Sequence, residues 1–95
     1  MTNREIARTL DHIADILQFQ DESPFKVRAY RQAANSIHYL DEDLHYLHEK
    51  GRLGEIPGVG PAIRAKIVEM LEKGSLEYYE KLRRQAPTGL LDMLA

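Results

Sequence analysis

The sequence predicts an all-α fold: a compact bundle of five or six short helices, in a single domain over residues 1–95. Three observations carry this. Apolar residues recur at three- and four-residue spacing in every segment. No segment alternates with period two for long enough to claim a strand. Capping residues, prolines and glycines punctuate the chain where helices would begin and end.

Thr2 and Glu5 have the spacing of a capping box, and Ile6, Leu10, Ile13 and Leu17 follow at helical intervals. This first helix is expected to end near Phe19, before Gln20-Asp21-Glu22. Ser23 and Pro24 then supply a cap and a first-turn proline for a second helix. Phe25, Ala29, Ala33, Ile37 and Leu40 are assigned to its buried stripe, with Tyr30 on the edge. Asp41-Glu42-Asp43 opens a short third helix through Leu44 and Leu47, closed by Gly51, and residues 52–55 make one further turn. Pro61 begins a helix that Gly74 stops, where left-handed geometry is wanted. Ser75 is the expected cap of the next helix, which carries Leu76, Tyr79 and Leu82 and ends at Pro87. Thr88 is positioned to cap a last short helix over residues 89–93.

Composition narrows the function classes. Ninety-five residues allow one modest core, and the apolar share of 43% is that of an ordinary globular chain. Cysteine is absent, so there is no disulfide framework or thiolate metal site. No hydrophobic run reaches the length of a membrane span, and the N-terminus is amphipathic rather than signal-like. The cytoplasm is the expected location, with no membrane partner. His45 and His48 stand three apart, but His12 and His38 supply no obvious third ligand, so a zinc site gets little weight. The tyrosines at 39, 46, 78 and 79 are expected on the surface or its rim.

The net charge of -2 argues against a strongly basic nucleic-acid binder, but the charges are unevenly spread. Acids gather at Asp11, Asp15, Asp21 and Glu22 and again at Asp41, Glu42 and Asp43. Bases gather at Lys26, Arg28 and Arg31 and, more loosely, at Arg64, Lys66, Lys73, Lys81, Arg83 and Arg84. Glu72, Glu77 and Glu80 are interleaved with the last four, so helical ion pairs account for those. The sum is a polarised molecule whose binding would be weak and salt-sensitive.

The segment with most chemistry is Ile56-Pro57-Gly58-Val59-Gly60-Pro61-Ala62-Ile63. Two glycines bracket one apolar residue, prolines flank them, and a helix follows at once. Glycine permits positive φ and close backbone approach, and a helix N-terminus presents unpaired N–H donors with partial positive charge. Donors around Gly58, Gly60 and Ala62 thus suit one phosphate, with Pro57, Val59, Arg64 and Lys66 beside them. The plainer reading is a structural turn between two helices, which also favours glycine.

Pro57-Gly58-Val59-Gly60 between two short helices resembles the helix-hairpin-helix motif, here over residues 52–73. The wider pattern resembles the N-terminal domain of bacterial family X DNA polymerases, related to the small lyase domain of DNA polymerase beta. The resemblance is carried by residues 25–34 (Phe-Lys-Val-Arg-Ala-Tyr-Arg-Gln-Ala-Ala), the hairpin, Lys66-Ile67 and Glu72-Lys73-Gly74-Ser75-Leu76. Asn3-Arg4-Glu5-Ile6-Ala7 and Pro87-Thr88-Gly89-Leu90-Leu91 extend it over essentially the whole chain.

The resemblance implies sequence-independent binding to DNA backbones, favouring gapped or 5′-phosphate ends, with Lys26 and Tyr30 holding the 5′-phosphate. It implies a monovalent cation, Na+ or K+, on the carbonyls of Gly54, Ile56 and Val59; no other cofactor is called for and no small-molecule substrate is evident. It also implies a second reading, in which Lys66 is the catalytic amine of a 5′-deoxyribose-phosphate lyase, forming a Schiff base with the sugar aldehyde. Three supporting positions that are basic in the lyase are Gly54, Ala62 and Tyr78 here. Family X polymerases continue into a second hairpin and a palm domain with paired carboxylates. No acidic cluster in these 95 residues has that form, so no polymerase active site is expected in them, and downstream polymerase domains are the implied partners. A third class, a protein–protein interaction module, is compatible with the net acidity.

Overall fold

The computed structural model describes residues 1–86. Within them the chain forms α1 (Asn3–Phe19), α2 (Pro24–His38), α3 (Leu44–Glu49), a 3-10 turn (Leu53–Glu55), α4 (Pro61–Lys73) and α5 (Glu77–Gln85), and no strand. The all-α expectation holds. Pro87 and the last helix expected over 89–93 lie outside the described residues.

The capping box forms as read. The Thr2 hydroxyl accepts from the Glu5 amide at 3.1 Å, and the Glu5 carboxylate accepts from the Thr2 amide at 2.9 Å. These bonds, the one from the Thr2 amide first, hold the Glu5 carboxyl below its ordinary value of 4.5. Ile6, Leu10, Ile13 and Leu17 then face the interior together with Ala7, Ala14 and Ile16. So much of α1 is buried that it serves as the central pillar, against which α2 lies along its length and α5 at one side.

Arg31 fastens the α1–α2 pair. Its guanidinium donates to the Asp15 carboxylate and to Gln18 at 3.2 Å, and stands 3.6 Å from the Asp11 carboxylate. One of the bases assigned to a basic cluster is thus neutralised by acids of the neighbouring helix.

On α2 the buried residues are Tyr30, Ala33, Ala34 and Ile37. Phe25, placed in the core by its spacing, is 78% exposed, with the Arg28 guanidinium 6.0 Å from its ring centre. The cause is rotational drift. Each four-residue step advances about 40° beyond a full turn, so three steps back from Ile37 carry Phe25 about 120° off the core face. Ala29 and Leu40 are partly buried at the core margin, and Tyr30, expected on the edge, is inside it.

Asp43 caps α3, accepting from the His45 amide at 2.7 Å. The Asn3 side chain pins this helix to the start of α1, accepting from the Leu44 amide at 2.9 Å and donating to the Glu42 carbonyl at 2.8 Å. Gly74 ends α4 at φ 73, its amide bonded to the Met70 carbonyl at 2.9 Å. The cap of α5 differs from expectation: Leu76, not Ser75, is its N-cap residue, and no side chain from that position caps it. Instead the Glu69 carboxylate reaches across from α4 and accepts from the Glu77 amide at 2.8 Å. No helix among the described residues is long and apolar enough to cross a membrane.

Candidate nucleic-acid interface

The hairpin is seated on α2 by close backbone approach. Gly58 has φ 80, a left-handed value that disfavours a side chain, and a Cβ there would meet Cβ of Gln32 at 3.2 Å. Beside it the Ser36 hydroxyl donates to the Pro57 carbonyl at 2.7 Å. Neither Ser36 nor Gln32 was a candidate site residue in the sequence, because their role follows from how α2 and the turn meet. Ile56 and Val59 anchor the turn from below, 4% and 8% exposed.

What remains outside are donors. The Val59 amide is spent on the Ile56 carbonyl at 3.1 Å, closing the turn. Among the described residues, the N–H groups of Gly58, Gly60, Ala62 and Ile63 make no hydrogen bond to the chain's own backbone, and Gly58, Gly60 and Ala62 are exposed. Gly60 is the N-cap of α4, no side chain caps it, and the first turn holds no acidic residue. The positive end of the helix dipole is therefore uncompensated. The contrast with α5 is direct, since that helix carries Glu77 and Glu80 in its own first turn.

The two cations of α4 part company. Residues two apart on a helix point to nearly opposite sides. Arg64 turns toward the 3-10 turn, where a Cβ on Gly54 would lie 2.7 Å from its guanidinium nitrogen. Lys66 turns the other way, its Nζ 4.8 Å from the centre of the Tyr78 ring. Tyr78 in turn lies near-parallel to Tyr30, at 13° and 6.4 Å between ring centres.

These residues share one groove of about 880 Å3. The hairpin from Gly54 to Ile63 forms one side; Lys26 and Tyr30 of α2, Lys66 of α4 and Tyr78 of α5 line the rest. Lys26, Tyr30 and Lys66, picked out from distant parts of the sequence, are thus brought together. Burial pushes the Tyr30 phenol far above its ordinary value of 10.0, with the neighbouring Tyr78 adding to the effect. The Gly54 and Val59 carbonyls accept no hydrogen bond from the backbone among the described residues, and that of Ile56 accepts one.

The histidines have other duties. His45 Nε2 lies 3.0 Å from the Met1 carbonyl, His48 pairs with Glu72 at 3.3 Å, and His12 Nδ1 bonds the Tyr79 hydroxyl at 3.0 Å. Among the described residues, no group of three or more metal-ligating side chains gathers.

A compact helical domain with uncapped amides on a Gly-Val-Gly turn is the geometry on which comparison with known proteins bears. The helix-hairpin-helix domain family matches residues 1–76. The chain belongs to that family. The helix-hairpin-helix domain is also 31% identical over 94 residues to the DNA polymerase/3′-5′ exonuclease PolX of Bacillus subtilis (strain 168), covering 99% of this chain. The chain spans 16% of that relative's length. The family X resemblance read from residues 25–34 and 56–60 agrees with both findings, which support DNA binding as the general function of the domain.

Proposed function

We propose that the domain binds DNA without sequence preference, gripping backbone phosphates at the hairpin and favouring gapped or 5′-phosphate ends. The observation that carries this is the set of exposed, unbonded amides at Gly58, Gly60 and Ala62, beside a groove flanked by Lys26 and Lys66. Phosphate oxygens accept from such amides whatever the base, so the contact fixes position and reads no sequence. Lys66 and Lys26 add charge, and Arg64 is available to the strand on the other side of the turn. Pro57, Val59 and Pro61 shape the turn rather than donate.

The experiment is anisotropy on a labelled duplex with a salt titration. Gly60 is the informative position, since it has φ -83 and no atom within 4 Å of an added Cβ. Gly60→Glu therefore keeps the fold and sets a carboxylate at the phosphate position, where affinity is expected to fall about tenfold or more. Unchanged affinity in that variant, or no salt-dependent binding by the natural chain, overturns the reading and leaves an interaction module in its place.

The carbonyls of Gly54, Ile56 and Val59 are the groups proposed to hold a monovalent cation; together they accept one backbone hydrogen bond, which leaves lone pairs for it. Na+ or K+ there would neutralise the carbonyl edge as the strand approaches. Exchanging it for tetramethylammonium at constant ionic strength, with weaker binding as the result, is the check.

The lyase reading rests on Lys66 lining the same groove as Lys26 and Tyr30. Its amine would condense with the sugar aldehyde, losing water; loss of a C2′ proton would then break the C3′–O bond and release the downstream strand with its 5′-terminal phosphate, and water would free the amine from the unsaturated sugar. Schiff-base chemistry needs a free amine, whereas Tyr78 offers Lys66 a ring face suited to an ammonium. Borohydride trapping on an incised abasic duplex, with Lys66→Ala as control, decides it. No adduct above background ends this reading and leaves backbone binding intact.

A further inference from the structure

The groove beside the hairpin is walled mainly by carbon. Lys26 and Lys66 are the cations in its lining and Glu55 opposes them; aliphatic and aromatic surface makes up most of the remainder. A site built for phosphate alone would gather converging donors. This one adds a pair of near-parallel tyrosines. Tyr30, 7% exposed, braces the pair from the core, while Tyr78 is only half-buried and stands at the groove. The Lys66 ammonium over the Tyr78 ring is held by nothing else: it makes no hydrogen bond or ion pair among the described residues.

We infer that Tyr78 is a stacking platform for one unpaired nucleobase, belonging to the strand whose backbone the hairpin holds. Lys66 is the movable cover of that platform. When the base arrives, the ammonium leaves the ring for the adjoining phosphate. The exchange is favourable on both sides. A base stacked on an aromatic ring outweighs an exposed cation–π contact, and the displaced ammonium gains an anion. The groove of about 880 Å3 has room for one nucleotide, and Tyr78 can stack only on a base whose face is not already covered by its neighbours in a duplex. The occupant is therefore a nucleotide outside the duplex, at an end or in a gap. The inference rests on the backbone reading of the hairpin and adds the chemistry of what lies next to it.

The test uses the full chain and three labelled duplexes of one sequence. One is blunt, one carries a single-nucleotide thymine overhang, and one carries the same overhang with a tetrahydrofuran in place of the base. The overhang is placed at the 5′ end in one set and the 3′ end in another. In at least one set the thymine overhang is expected to bind roughly fivefold tighter or more than the baseless one. Tyr78→Leu, which keeps apolar bulk, removes that difference between the two overhangs; Tyr78→Phe retains it. Gly60→Glu weakens all three duplexes together. Equal binding of thymine and baseless overhangs in both sets overturns the inference and leaves the hairpin reading standing. So does tighter binding of the baseless end, which would make the groove a sugar site, or persistence of the thymine preference in Tyr78→Leu. Failure of the natural chain to bind any of the three removes the hairpin reading, and the platform with it.

Discussion

Tyr30 keeps a phenol where little water reaches, 7% exposed and facing Tyr78. Burial disfavours the phenolate, so its pKa rises above the ordinary 10.0. Below that pH the group is neutral in the folded and the unfolded chain alike. Above it, the unfolded chain releases the proton while the folded one retains it, so stability falls as pH climbs. Burial of the half-buried Tyr79 acts in the same sense. Tyr30→Phe is therefore expected to unfold at a higher pH than the natural chain in an alkaline titration followed by circular dichroism; coincident midpoints would show that the phenol ionises freely. Phe25, five residues earlier on the same helix, has the opposite surroundings. Its ring is 78% exposed, so Phe25→Ser is expected to change stability by no more than about 0.5 kcal/mol. Tyr30→Ala opens the core and is expected to cost about 3 kcal/mol or more. Urea denaturation of the two variants measures the contrast, and a large loss in Phe25→Ser would mean that the ring is packed after all.

Within the hairpin the two glycines divide the labour. Gly58 is demanded by the fold: its φ is 80 and its missing Cβ lets the turn rest on Gln32. Gly58→Ala is expected to cost about 1–2 kcal/mol from the left-handed backbone alone, and DNA affinity drops as the turn lifts away from Ser36. Gly60 has an ordinary φ of -83 and open space around it, so Gly60→Ala is expected to lose only the modest N-cap preference of glycine over alanine, less than Gly58→Ala. Equal destabilisation by the two substitutions would show that this division is wrong. The same pair illustrates what was legible in the sequence. Helix existence, most caps and the turn itself could be read, because a capping box, a first-turn proline and a helix-ending glycine act locally. Which glycine was structural could not, since that depends on how close α2 comes. The position of Phe25 was misread for a geometric reason, the drift of an every-fourth-residue stripe around the helix. Ser75 lost its role to Glu69, a partner from another helix that no local pattern announces. The hairpin and Lys66 beside it were legible from the glycine–proline pattern, Lys26 and Tyr30 through resemblance; that they share one groove needed the packing.

At the scale of the whole molecule, a net charge of -2 and a phosphate-binding turn look contradictory until the charges are placed. Many of the acids already have partners. Asp11 and Asp15 are engaged by Arg31, Glu42 and Glu55 by Arg52, and Glu72 by His48. The bases those acids consume are lost to DNA as well, and of the cations that remain, Lys26 and Lys66 line the groove and Arg64 lies beside Gly54 at the hairpin. Each phosphate neutralised in duplex DNA adds about 0.9 to the slope of log affinity against log salt. Two to three contacts give a slope of roughly -2 to -3, and affinity should fall about 10- to 40-fold between 50 and 200 mM salt. Backbone amides release no counterions of their own, so they add affinity without steepening that slope. Lys66→Ala is therefore expected to flatten it by about one unit, whereas Gly60→Ala leaves it as it was. A slope of about -6 or steeper in the natural chain would require cations far from the turn to be touching DNA, and the hairpin would then be a minor part of the grip.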